Sequence, residues 1–137
     1  MIQEIINQWE ANKHKLCHYF TKNHPGSYEE IVKKIFELVI VGYDAKKITK
    51  IDDGDYQGTQ IFLIPKDTYQ PDISNYIFTH TYYGSCSGCD TLKSIQGFQD
   101  NDNPPNQEEV QKYMTLALHL VQKLKQMTGD DHEVQED

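Results

Sequence analysis

Arginine is absent from this chain, and all 13 of its basic residues are lysines. Arginine supplies the planar fork that reads guanine and clamps phosphate at two points. Its absence, with no basic run longer than a lysine pair, argues against nucleic-acid binding. Long apolar runs are also lacking. Nothing approaches the ~18 consecutive apolar residues of a membrane-spanning helix. The opening stretch MIQEIINQWEANK has neither the basic start nor the apolar centre of a signal peptide. No membrane role is expected, and the expected compartment is the cytoplasm. Cysteine is scarce, at three residues. In a reducing compartment such cysteines bind metal, do redox chemistry or simply pack.

Acidic residues are plentiful. The 21 acids exceed the 13 bases by 8. Five of the acids lie in the last eight residues, DDHEVQED, and without them the balance is 16 acids to 13 bases. The body is therefore only mildly acidic, and the expectation is one domain over residues 1–129 with a disordered acidic tail over 130–137. Leu, Ile, Val and Phe together number 32 of 137 residues. That is above the ~20% below which disorder becomes the default, so the chain can build a core.

Hydrophobic period divides the chain. Ile2, Ile5, Ile6, Trp9, Leu16 and Phe20 recur at helical spacing. NHPG at 23–26 breaks the pattern, and Ser27 with Glu30 reads as a capping box opening a second helix. That helix should bury Tyr28, Ile31, Val32, Ile35, Leu38 and Val39 and stop near Gly42. Around Asp53-Gly54 the pattern becomes that of strands, with QIFLI ended by Pro65. YIFTHTYY, at 76–83, reads as a third strand. The linkers are too short for parallel crossovers, so the pairing should be antiparallel. A short helix is expected from about Asp90, and a last helix over 106–127 with Gly129 as its C-cap. The fold class is α+β: a three-stranded antiparallel sheet covered by helices, in the order ααβββαα.

The segments IDDGDYQGTQIFLIP and TYYGSCSGCDTL, with the closing MTLALHLVQKLKQM, resemble a group of small proteins encoded by tailed bacteriophages and prophages. The likeness covers roughly residues 46 to 127. It implies a phage origin and action inside a bacterial host. It carries no activity, so the cysteines are weighed on their own chemistry.

Cys86 and Cys89 form a CxxC pair. As a zinc site they would supply two of four ligands. His80, Cys17 and His14 are candidates for the rest, or a second chain in a homodimer. On a helical wheel centred on Trp9, Cys17 falls about 80° away, His14 about 140° and His18 about 180°, which turns both histidines away from the core. As a thiol oxidoreductase, Cys86 would attack and Cys89 resolve, but the element order lacks the βαβ unit such pairs occupy. As packing residues, the two thiols suit a helix start beside a sheet, with Gly84 and Gly88 serving a tight turn. The expectation is a metal-free, cofactor-free pair. Asp52, Asp53 and Asp55 lack the spacing of a calcium loop and read as turn residues. Five of the nine tyrosines lie between 56 and 83, and tyrosine is enriched at protein interfaces. The candidate binding set is therefore Tyr82, Tyr83, Gly84, Ser85, Cys86, Gly88, Cys89 and Asp90. The expected function is that of a phage-type accessory protein that binds a host or phage protein without catalysis.

Overall fold

The computed structural model describes residues 2–54, 57–84, 91–96 and 103–127. Helix α1 spans Ile2–Lys22, α2 Tyr28–Lys34, α3 Thr91–Gln96 and α4 Gln107–Gln122. Strands β1 (Thr49–Asp52), β2 (Gly58–Pro65), β3 (Tyr76–Tyr83) and β4 (Lys125–Gln126) form one antiparallel sheet in that spatial order. The α+β class stands. The expected three strands and the order ααβββαα do not: among the described residues the sheet has four strands and the order is ααβββααβ.

The difference arises at the end of α4. The helix stops at Gln122, not near 127: the Lys123 N–H still makes the ordinary α-helical bond to His119 O at 3.2 Å, but the Leu124 N–H closes a tighter turn onto Val121 O at 3.1 Å. That tight end swings Lys125 and Gln126 alongside Phe78 and Ile77 of β3. Neither residue carries strand propensity, so pairing with a strand already in place makes them β. The expected cap Gly129 and the tail 130–137 lie outside the described residues.

Helix α2 begins as its sequence dictates. Ser27 Oγ accepts the Glu30 N–H at 3.1 Å, a cap worth about 1 kcal/mol. The reciprocal bond reaches one residue further than a capping box requires, since Glu30 Oε1 takes the Gly26 N–H at 3.0 Å. After Lys34 the helix widens into a π-turn over Ile35–Val39, closed by Ile40 N–H to Ile35 O at 3.0 Å. The extra residue per turn brings Phe36 and Ile40 into the core and leaves Leu38 half-buried. Side chains of α1 finish this terminus. The Asn12 amide donates to Val39 O at 3.0 Å, and Gln8 Oε1 accepts the Val41 N–H at 2.7 Å. They satisfy backbone groups that a helix end leaves without intrahelical partners.

The sheet has an inner face toward the helices and an outer face away from them. Phe62, Ile64, Ile77, Thr79 and Thr81 are buried on the inner face with Phe20, Ile31, Ile35, Tyr113 and Leu120 of the helical layer. Thr79 carries a hydroxyl into this core, and it donates to Leu120 O at 2.6 Å.

Candidate functional site

The described parts of the two segments most distinctive in the sequence meet in space. β2 pairs with β3 in a register that sets Gly58 opposite Tyr83 and Gln60 opposite Thr81, and β1 sets Asp52 opposite Gln60. The β1–β2 connection and the exit of β3 therefore share one end of the sheet. Gly58 places no side chain between β1 and β3 at this level, and the Tyr83 side chain spans the gap. Its hydroxyl donates to Asp52 Oδ1 at 2.6 Å and lies 2.7 Å from Gly54 O. Asp52 Oδ1 also accepts the Gly54 N–H at 3.1 Å, and Asp53 Oδ1 accepts the Thr59 N–H at 2.7 Å. The Tyr83 hydrogen bond, then that from Gly54, hold the Asp52 carboxyl below its ordinary range. A Cβ on Gly54 would run into the Gln57 carbonyl oxygen, and one on Gly58 would fall 2.5 Å from Asp53 Oδ1. Both glycines are thus required by close approach. The arrangement is a clasp: two turn aspartates spend their oxygens on the turn, and Tyr83 ties them to β3.

From this clasp the chain leaves through the buried Gly84 toward the cysteine pair. Ser85, Cys86, Ser87, Gly88, Cys89 and Asp90 lie outside the described residues, as does Asp55. The remaining metal-ligand candidates are not brought together. Cys17 is a half-buried free thiol on α1, His14 is exposed, and His80 lies on the outer face of β3, across the sheet from the helical layer. Among the described residues no three His, Cys, Asp or Glu side chains gather as metal ligands.

His80 is exposed, because its alternation with Thr79 and Thr81 turns it outward. Partial burial lowers its basicity, and the ammonium groups of Lys123 and Lys125 lower it further. Around it the outer face is apolar. Ile51, Ile61, Leu63, Phe78 and Tyr82 share it by strand register. Ile51 is 48% exposed and Tyr82 51%. No described helix covers this face.

A second polar region escaped sequence reading. A cleft of about 670 Å³ is lined by Tyr19, Lys22, His24, Glu30 and Asn103 among others. His24 Nε2 lies 2.9 Å from Asn103 O and Nδ1 lies 2.8 Å from the Tyr113 hydroxyl. A carbonyl can only accept, so Nε2 carries a proton toward Asn103 O, and the Tyr113 hydroxyl holds the other side of the ring at Nδ1. The Tyr19 hydroxyl donates to Glu30 Oε2 at 2.7 Å, with the Lys34 ammonium 4.9 Å from the Tyr19 ring centre. Burial first, then the bond to Glu30, keeps the Tyr19 hydroxyl well above its ordinary pKa. The sequence showed NHPG only as a breaker, since nothing local says that His24 would meet residues about 80 and 90 positions away.

Compared with family models, with curated proteins and with solved structures, the chain has no match. No described helix is long and apolar enough to cross a membrane.

Proposed function

We propose that this protein is a phage-type accessory protein that acts by binding a host or phage protein, not by catalysis. The observation that carries the reading is the outer sheet face. Ile51, Ile61, Leu63, Phe78 and Tyr82 form a contiguous apolar and aromatic surface across three strands, and no described helix covers it. Such surfaces mark interaction sites in otherwise polar proteins, and Tyr carries interface energy at low entropic cost. The phage origin rests on the two segments that resemble phage-encoded proteins. Within this chain the described parts of the two segments meet through Tyr83 and Asp52.

The test is a comparative capture from bacterial lysate. Wild-type bait is set against a bait carrying Ile51→Asp and Tyr82→Asp, with circular dichroism confirming that both fold. The reading expects a partner retained by wild type at micromolar bait and lost with the double variant. Equal retention by both baits, or no partner on either, refutes it.

A further inference from the structure

β3 is eight residues long, and its two edges are unequally used. β2 covers one edge from Tyr76 to Tyr83. On the other edge β4 pairs with Ile77 and Phe78 alone, and Met127 N–H adds one bond to Tyr76 O at 2.9 Å. Among the described residues no strand pairs with Thr79–Tyr82 on that side. Peptide groups alternate in direction along an antiparallel strand. Since Tyr76 O faces β4, the N–H and C=O of Phe78, His80 and Tyr82 face that edge too. Phe78 is taken by β4. His80 and Tyr82 therefore present a strand's hydrogen-bonding groups beyond the end of β4. Lys123 Nζ sits across this gap, 3.4 Å from His80 O, and the Thr81 hydroxyl lies 3.4 Å from Tyr82 O, both too long for strong bonds.

We infer that this open edge of β3, in line with β4, receives an extended acidic segment of a partner protein as an added strand. The inference rests on the protein-binding reading and specifies how the partner docks. An exposed strand edge templates pairing, and main-chain bonds supply affinity while alternate side chains supply specificity. Charge selects the occupant. Among the described residues, the charges that act on His80 are those of Lys123 and Lys125, so this edge is locally basic. A second copy is disfavoured, because it would bring its own Lys123 and Lys125 against this pair, and like charges across a pairing repel. Edge lysines are a device against self-association. They attract a strand whose carboxylates align with them. Register sets the pattern: residues opposite His80 and Tyr82 point to the outer face and should be Asp or Glu. The residue opposite Thr81 points inward and should be small and apolar.

The probe is an acetylated nine-residue peptide alternating Glu and Val, with a Lys-for-Glu counterpart as control. It is added to the full ¹⁵N-labelled chain at 50 mM salt. The acidic peptide is expected to shift the His80 and Tyr82 amides and slow their hydrogen exchange, whereas the basic one is not. Lys123→Met and Lys125→Met should each weaken binding by about two- to five-fold, the range of an exposed ion pair. Binding should fall further as salt rises to 0.5 M. Unmoved His80 and Tyr82 amides at millimolar acidic peptide would overturn the inference. So would equal binding of the two peptides, or concentration-dependent protection of this edge without peptide, which would mean self-pairing. In the lysate capture, a Lys123→Glu/Lys125→Glu bait that keeps its partner while Ile51→Asp/Tyr82→Asp loses it removes the edge inference alone and leaves the protein-binding reading intact.

Discussion

Replacing Thr79 with Val isolates one buried hydrogen bond. Val has nearly the shape of Thr, so the inner sheet face keeps its packing and loses a single donor. The structure says what that donor does. At the end of α4 the Lys123 N–H goes to His119 O and the Leu124 N–H to Val121 O. The carbonyl between them, Leu120 O, is left to the Thr79 hydroxyl at 2.6 Å. Thr79 is 1% exposed and Leu120 is equally enclosed, so water cannot substitute without opening the core. An unpaired buried carbonyl costs about 1–3 kcal/mol. Added methyl hydrophobicity offsets part of this, so about 1–2 kcal/mol net is expected. With a urea m-value of about 2 kcal/mol/M, the midpoint should fall by roughly 0.5–1 M. Thr79→Ser keeps the hydroxyl and loses a methyl, costing about 1 kcal/mol for the lost group. The decisive readout is hydrogen exchange near the α4 terminus: Val should accelerate the amides of 123 to 126, and Ser should not. A Val variant within 0.3 kcal/mol of wild type, with unchanged exchange there, would refute the claim that this bond satisfies the Leu120 carbonyl and fastens the end of α4 to β3.

Two further outcomes follow from the Asp52–Tyr83 clasp. Gly54→Ala sets a Cβ against the Gln57 carbonyl oxygen and should cost about 1–3 kcal/mol, as overpacking does; urea denaturation checks it, and a neutral result would mean that the turn is not closely packed. Tyr83→Phe removes the main cause that holds the Asp52 carboxyl low, so a ¹³C titration should find its midpoint moved up toward the ordinary ~3.9. A carboxyl lowered in the folded state adds stability above its unfolded pKa and loses it as pH falls through the folded value. The stability gap between wild type and Tyr83→Phe should therefore be full above about pH 4 and narrow below it; a gap that is flat across that window contradicts the assignment.

Local chemistry alone determined much of this protein. The periodicity of α1, α2 and α4, the Ser27 cap, the Asp53-Gly54 turn and the bounds of β3 at 76–83 were all legible, because each depends on residues within one or two turns of one another. The outward histidines of α1 were legible for the same reason, since helical geometry needs no partner to set a face. Tertiary structure alone decided the rest. Lys125 and Gln126 become a strand only because β3 offers them an edge. The π-turn after Lys34 is finished by Asn12 and Gln8 of another helix. His24 is held between Tyr113 and Asn103, and Tyr83 finds Asp52 across a glycine. The common cause is that a polar group's partner can lie anywhere along the chain, whereas an apolar stripe or a helix cap is written in neighbouring residues. The open edge at His80 and Tyr82 belongs to the second kind: the strand was in the sequence, but how far β4 would cover it was set by where α4 ended.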